Sequence, residues 1–348
     1  MTCTRLGDKT YHQIMLQVFA LIITLELSTA NAAPQQVSSA TRVPASSTNI
    51  FDQYLDKSQP IATQFSVPAV DREHPNKVYA VADGQVIALR KIKMADRREG
   101  YQISLRHVYF ENADRKTIFS NYELTESGYL KLGDRVKMGT LLGDQLNESI
   151  RFTLSQEYPV IVPLTPEATA SFFTYHRQLF NPLQEPTLIL VDTNAYRMRM
   201  VNHDKVQDLE IGIGQAKGAK QFRGDNKTPK GMYFTTNKHH GTFSGPAAAY
   251  FGGYWMKLNY PNAYDAERGL KAGWISDSQA ASIKKVWLQR GETLQQTNLG
   301  GGIGLHAWAF EWSNTGSRLM SWGCVVLHPA DMARYFDSFP VGTMVVLF

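Results

Sequence analysis

The chain has 348 residues, 43% of them hydrophobic and 19% charged, an ordinary globular composition long enough for two domains with cores of their own. A formal charge of +5 and a pI near 9.0 are a mild basic excess, which favours residence near anionic polymers without naming one. No arginine-rich helix, zinc-finger spacing or aromatic-glycine RNA motif is present, so no nucleic acid is expected as a partner.

At the N-terminus, Arg5 and Lys9 precede an apolar stretch over 14–25, and small residues follow around Ala30-Asn31-Ala32. This pattern predicts a signal peptide over 1–32, a mature chain starting near Ala33, and export. No later segment is long and apolar enough to span a bilayer, so no transmembrane segment is expected after cleavage. Cys3 lies in the charged leader, which leaves Cys324 as the one cysteine of the mature chain. A lone thiol in an exported protein has no internal disulfide partner; it is either a small buried apolar residue or a working group.

Residues 33–58 are rich in Ser, Thr, Ala, Pro and Gln and predict a flexible linker. A β-rich domain is expected over 59–165. In it Val78–Ala82 and Gln85–Leu89 flank an Asp83-Gly84 turn and predict a hairpin. Tyr101–Leu105 and Thr117–Phe119 read as further strands, and Gly133–Gly139 reads as a turn-strand-turn unit leading into Thr140–Leu142. Residues 166–185 form a connector with a short helix nearby.

A second β unit begins at residue 186. Strands are expected at Thr187–Val191, Tyr196–Val201 and Asp208–Ile213, followed by a polar loop over Gly224–Gly231. Helices are expected at Asp277–Arg290 and Ala330–Phe336, and the apolar run Thr343–Phe348 predicts a buried closing strand. The fold class is therefore mainly β with a few helices.

One constellation in this unit carries chemistry. Gly300-Gly301-Gly302-Ile303-Gly304-Leu305-His306 reads as a glycine-rich strand ending on a histidine, and Ser321-Trp322-Gly323-Cys324 places the thiol after a glycine turn, eighteen positions later. Two strands joined across the polar loop 311–318 would bring imidazole and thiol together. The imidazole would then draw off the thiol proton and leave a thiolate–imidazolium pair as nucleophile. With nine histidines in the chain, the pair by itself is a weak signal.

Ile303-Gly304-Leu305-His306 followed by Ser321-Trp322-Gly323-Cys324 resembles the signature of the L,D-transpeptidase catalytic domain, the YkuD fold. Gly224–Gly231 with Tyr233, Asn259-Tyr260-Pro261-Asn262 with Asp265, and Phe339–Thr343 resemble further motifs of that family, in the expected order. The resemblance covers 186–348 and implies a β-sandwich or barrel. It implies that Cys324 attacks the third residue of a peptidoglycan tetrapeptide stem, expels the terminal D-alanine and holds an acyl-enzyme. His306 would be proton acceptor and then donor, backbone N–H groups at Gly323 and Cys324 would hold the oxyanion, and the Ala307 carbonyl would orient the imidazole. Ser321, Trp322, Tyr260 and Asn262 are candidate substrate contacts; no cofactor or metal is required. The chain departs from many relatives at Ala307 and Trp322, and at Val326, where an arginine is usual.

The upstream domain resembles the LytM-type zinc peptidases through Val78–Val86 and Leu132–Gly139. The positions of the late zinc-ligating pair fall on Ser149-Ile150-Arg151-Phe152, which offers no imidazole, and Asp71 lacks a histidine partner. This implies a degenerate, metal-free module that docks glycan, peptide or another cell-wall enzyme. Three functions stay open: a transpeptidase with an amine acceptor, an L,D-carboxypeptidase with water as acceptor, and a non-catalytic regulator of cell-wall hydrolases.

Overall fold

The structure, a computed structural model, describes residues 50–55, 61, 76–94, 97–144, 151–165, 169, 180, 182–245, 248–313 and 316–348. The expected signal peptide, Asp71 and Ser149-Ile150 lie outside the described residues, and Arg151 is described by its backbone alone. Residues 48–348 form one compact unit. Among the described residues no helix is long and apolar enough to cross a membrane.

The upstream part is built on a five-stranded sheet in the order β6-β2-β3-β4-β8. Its strands are β2 (Gly84–Lys93), β3 (Glu99–Glu111), β4 (Asp114–Leu124), β6 (Arg135–Val136) and β8 (Arg151–Ser155). A three-stranded sheet accompanies it: β1 (Lys77–Tyr79), β7 (Leu141–Asp144) and β5 (Glu126–Ser127), with β7 in the middle. The expected hairpin around Asp83-Gly84 does not form, because β1 pairs with β7 while β2 pairs with β3 and β6. The reason is the Asp83 carboxylate, which accepts hydrogen bonds from Lys137 Nζ at 2.7 Å and Met138 N–H at 2.9 Å. Those bonds tie the Asp-Gly pair to the β6 turn. The long hairpin is instead β3–β4, joined by Asn112-Ala113, with Asn112 in the left-handed region at φ 55°.

The sheet holds a row of buried polar side chains with their bonds made internally. Ser104 donates to Asn121 Oδ1 at 2.7 Å, and His107 meets the Asp83 carbonyl at 2.9 Å and Ser120 Oγ at 2.6 Å. Burial lowers the His107 pKa to about 4, although the Asp83 carbonyl favours the charged form. Below pH 6.5 the unfolded chain takes up a proton that the folded imidazole refuses until about pH 4, so stability falls as pH drops through that window. We expect unfolding free energy to drop by up to about 3 kcal/mol per such imidazole between pH 7 and pH 4. Urea unfolding of wild type and His107→Asn at both pH values checks this; equal pH dependence in the two proteins would remove His107 from the account.

From residue 187 onward the chain forms a nine-stranded sheet in the order β10-β9-β17-β12-β13-β14-β16-β11-β15. The strands are β9 (Thr187–Asp192), β10 (Arg197–Asn202), β11 (Lys205–Gly214), β12 (Gly231–His240), β13 (Tyr254–Leu258), β14 (Gly304–Ala307), β15 (Leu319–Ser321), β16 (Val325–Leu327) and β17 (Met344–Leu347). An additional β10–β11 pairing closes the ladder on itself, which makes a barrel-like body without a free run of central edges. Alternating residues fill its inside: Ile189, Val191, Tyr233, Leu305, Val325, Val345 and Leu347 belong to one buried cluster. The opposite faces of β9, β17 and β12 carry a second cluster with Leu188, Leu190, Met232, Phe234, Met344 and Val346. That outer face is covered by Trp287 from α3 (Asp277–Leu288) and by Phe110 and Ala113 from the β3–β4 hairpin. Strand β9 is buried along its whole length, as expected for a strand packed on both faces.

Three elements differ from expectation. Residues 50–55, in the expected flexible linker, are the helix α1 (Ile50–Leu55); Phe51 is buried against Phe348 and Asp52 pairs with Arg199 at 2.7 Å. The apolar Phe51 has a place in the outer-face core, and that burial orders the end of a polar segment. Ala263–Lys271 forms α2, which has a capping box built by Asn262 and Asp265. Gly300–Gly302 precede β14 as loop, so the glycine run is a strand entry rather than a strand.

Candidate active site

Strands β14 and β16 are parallel neighbours, with His306 opposite Val326. Cys324, just before β16, therefore lies on the same side of the pleat as His306, offset by two residues or roughly 7 Å along the strand. Such diagonal neighbours are within side-chain reach. The connection is a parallel crossover through β15, not the direct pairing of two strands across one loop, because β15 leaves to pair with β11.

The turn before the thiol depends on Gly323 and Ser321. Gly323 has φ 129°, and a Cβ there would sit 2.8 Å from the Lys227 carbonyl oxygen, so a side chain is excluded on both counts. Ser321 is fully buried; its hydroxyl donates to the Cys324 carbonyl and accepts from Gly323 N–H at 3.1 Å. Ser321 thus shapes the turn from inside. The Gly323 N–H is used in this bond, which takes it out of the expected oxyanion role. Tyr260 and Asn262 are also fully buried, away from the surface expected of substrate contacts. Tyr260 donates from its hydroxyl to the Leu299 carbonyl at 2.9 Å, and Asn262 caps α2. Their polar groups are consumed by the fold.

Cys324 is 6% exposed and opens onto a cleft of about 340 Å³. One wall is the loop between β11 and β12, through Lys220, Arg223, Gly224 and Asn226; the other comes from Tyr250, Phe251 and Trp322, with Gly300–Ile303 at one end. Trp322 is 59% exposed and stacks on Tyr250, ring centroids 4.7 Å apart and planes at 11°. The Tyr250 hydroxyl accepts the Trp322 backbone N–H at 2.9 Å and also meets the Ser321 side chain. His306 lies beneath Tyr250, Phe251 and Trp255, at centroid distances of 4.8, 5.3 and 6.0 Å.

Burial governs the protonation states. His306 Nδ1 faces the Ala307 carbonyl at 2.8 Å, while Nε2 is buried without a hydrogen-bond partner among the described residues. Desolvation lowers the imidazole pKa to about 4 against the opposing Ala307 carbonyl. The Cys324 thiol donates to the Gly302 carbonyl at 3.6 Å. Desolvation raises its pKa to about 12, against a backbone hydrogen bond from Gly304 and the positive charge of Lys220. Both shifts have the same cause and the same direction: burial favours the neutral thiol and the neutral imidazole over the ion pair expected from the sequence.

Two cations line the cleft that sequence motifs did not single out. Lys220 is held by Asp225 at 2.7 Å, and Arg223 bonds the Thr297 carbonyl at 3.0 Å. Val326, at the position where an arginine is usual, is fully buried in β16. Tyr250 and Phe251 were also missed. Their one advance signal is the density of aromatic and glycine residues over Phe243–Trp255, which marks a tight, ring-lined loop.

Residues 186–347 match the family model described as L,D-transpeptidase catalytic domain, YkuD. The match leaves the upstream sheets outside it. No curated protein sequence matches the chain. Among solved structures, the chain is similar to the helical cell shape determining protein Pgp2 from Campylobacter jejuni, with 21% identity, a TM-score of 0.31 and coverage of 47% of each chain. It is similar to Bd1075 from Bdellovibrio bacteriovorus, with 23% identity, a TM-score of 0.30 and coverage of 47% of this chain and 48% of that one. It is also similar to an L,D-transpeptidase mutant from Enterococcus faecium, with 19% identity, a TM-score of 0.30 and coverage of 48% and 52%. The chain thus spans about half the length of these structures. The residues of the closed β body, 186–347, are thus the part of the chain that matches the YkuD L,D-transpeptidase catalytic domain.

Proposed function

We propose that the protein is an exported peptidoglycan L,D-transpeptidase that remodels the bacterial cell wall. The observation that carries this reading is Cys324 opening onto the floor of a cleft, with the buried His306 imidazole on the same side of the neighbouring strand. The Arg223 guanidinium on the cleft wall suits a carboxylate of a stem peptide, serving where Val326 cannot, while Lys220 is paired with Asp225. Trp322 offers an exposed indole face beside the thiol as a substrate contact.

In this mechanism a bound stem expels water from the cleft and presents the carbonyl of its third, diamino-acid residue to Sγ. Sulfur forms a bond to that carbon as the thiol proton passes to His306 Nε2, so charge separates only while the tetrahedral oxyanion forms. The Tyr250 hydroxyl donates to the oxyanion, a role that the inward-turned Gly323 N–H does not fill. Collapse breaks the amide bond to the terminal D-alanine, whose nitrogen takes the proton from His306. The resulting thioester is resolved by an amine of a neighbouring stem, which transfers its proton to His306 and regenerates the thiol.

Incubation of the full chain with disaccharide-tetrapeptide, followed by mass analysis, tests the reading. A crosslinked product with release of D-alanine is expected. Tripeptide without crosslinks would make water the acceptor and the protein an L,D-carboxypeptidase; no turnover of any tetrapeptide would leave only the regulatory reading.

A further inference from the structure

The tip of the β3–β4 hairpin of the upstream part meets the catalytic domain through the polar side chain of Asn112 as well as through Phe110 and Ala113. Asn112, at its tip, accepts hydrogen bonds through Oδ1 from Met232 N–H at 3.0 Å and Asn262 Nδ2 at 2.9 Å, and donates to the Lys230 carbonyl at 3.4 Å. The joint is closely fitted: a Cβ on Gly231 would lie 2.6 Å from Asn262 Nδ2 and 2.7 Å from Asn112 Oδ1. Asn112 thereby sits at the end of a chain of polar contacts that leads to the cleft. Asn262 accepts from Asp265 N–H at 2.9 Å while Asp265 Oδ2 accepts from Asn262 N–H at 3.0 Å. Asp265 Oδ1 holds Arg268 at 2.7 Å, and Arg268 Nη1 donates to Gln221 Oε1 at 2.6 Å. Gln221 N–H in turn donates to Asp225 at 2.6 Å, and Asp225 holds Lys220 on the cleft wall at 2.7 Å.

From this continuity we propose that Asn112 is a positioning residue for the donor-binding wall of the cleft, and that the upstream module works as a brace for the loop between β11 and β12. The loop crosses the surface and is organised around one buried carboxylate, so its geometry depends on what anchors that cluster. Its only outward hydrogen-bonded tie to α2 runs, among the described residues, through Gln221 and Arg268. Cys324 and His306 stand on a different pair of strands, β16 and β14, with no part in this chain of contacts. Loss of Asn112 therefore changes how substrate is held more than how the thiol reacts. The kinetic part of this inference rests on the transpeptidase reading; the structural part does not.

Asn112→Gly is the informative variant, because glycine keeps the left-handed turn while removing the amide. In the full chain, amide hydrogen exchange over 219–228 should speed up about tenfold, with peptides of β14 and β16 unchanged. KM for disaccharide-tetrapeptide should rise about tenfold while kcat stays within about threefold. Arg268→Leu, which removes both the 2.6 Å bond to Gln221 Oε1 and the 3.2 Å bond to its carbonyl, cuts the chain of contacts and should reproduce both effects even if Asn112→Gly folds poorly, and the two changes combined should be less than additive. Unchanged loop exchange in the variants overturns the proposal whether or not substrate is turned over. Faster exchange with unchanged KM overturns the donor-binding role. A wild-type protein that turns over no tetrapeptide refutes the transpeptidase reading alone, since exchange still decides the brace.

Discussion

Replacing Cys324 by alanine is expected to lower turnover of tetrapeptide stems at least about 1000-fold while leaving the fold intact, since the cleft then has no thiol among the described residues on which a thioester forms. Cys324 is buried with its sulfur against the Gly302 carbonyl, and removing one sulfur atom should cost about 1 kcal/mol of stability. Intact mass after a short incubation supplies the direct check: wild type should carry the acyl adduct and Cys324→Ala none. Serine should not substitute. With an imidazole whose pKa is about 4, the base is too weak to activate a hydroxyl, whereas a thiol needs far less help. An active Cys324→Ser enzyme would mean that some group other than His306 takes the proton.

His306→Gln carries the second large effect, again a loss of at least about 1000-fold in kcat. Glutamine keeps a polar side chain near the Ala307 carbonyl but offers no nitrogen that accepts a proton, so shape is retained and base chemistry removed. The wild-type pH profile supplies the sign. The imidazole must be neutral to accept the thiol proton; it is neutral above a pKa of about 4 and charged below it. The acid limb of kcat/KM should therefore fall near pH 4 rather than near 6.5, the ordinary histidine value. A limb near 6.5 would mean that the aromatic cover of Tyr250, Phe251 and Trp255 does not exclude water from the ring. The same burial adds to acid sensitivity of the fold, in the direction given for His107.

Much of the catalytic half was legible in the order of residues. The alternation in Tyr196–Val201, the unbroken apolar runs at Thr187–Val191 and Thr343–Phe348, and the helix expected over Asp277–Arg290 carry their own periodicity, and each element formed within two residues of those bounds. The glycine before Cys324 likewise marks a turn that no other residue fits. The site was less readable than the fold. Gly323 has a backbone N–H in any conformation, but only the position of the Ser321 hydroxyl decides that it points inward. Tyr260 and Asn262 sit in a motif that looks like surface chemistry, yet their polar atoms complete bonds inside the core.

What the amino-acid order determined by itself is what depends on neighbours along the chain: strand and helix periods and the glycine turn before the thiol. What tertiary structure decided is whatever depends on partners far away in the chain. Asp83-Gly84 was drawn from a hairpin to the β6 turn by Lys137 and Met138, and Asn112 was brought to Asn262 across 150 positions. The ionisation of Cys324 and His306 belongs here too, because a charge is stabilised or penalised by the medium around it, and that medium exists only once the barrel has closed over the imidazole and the cleft has formed around the sulfur.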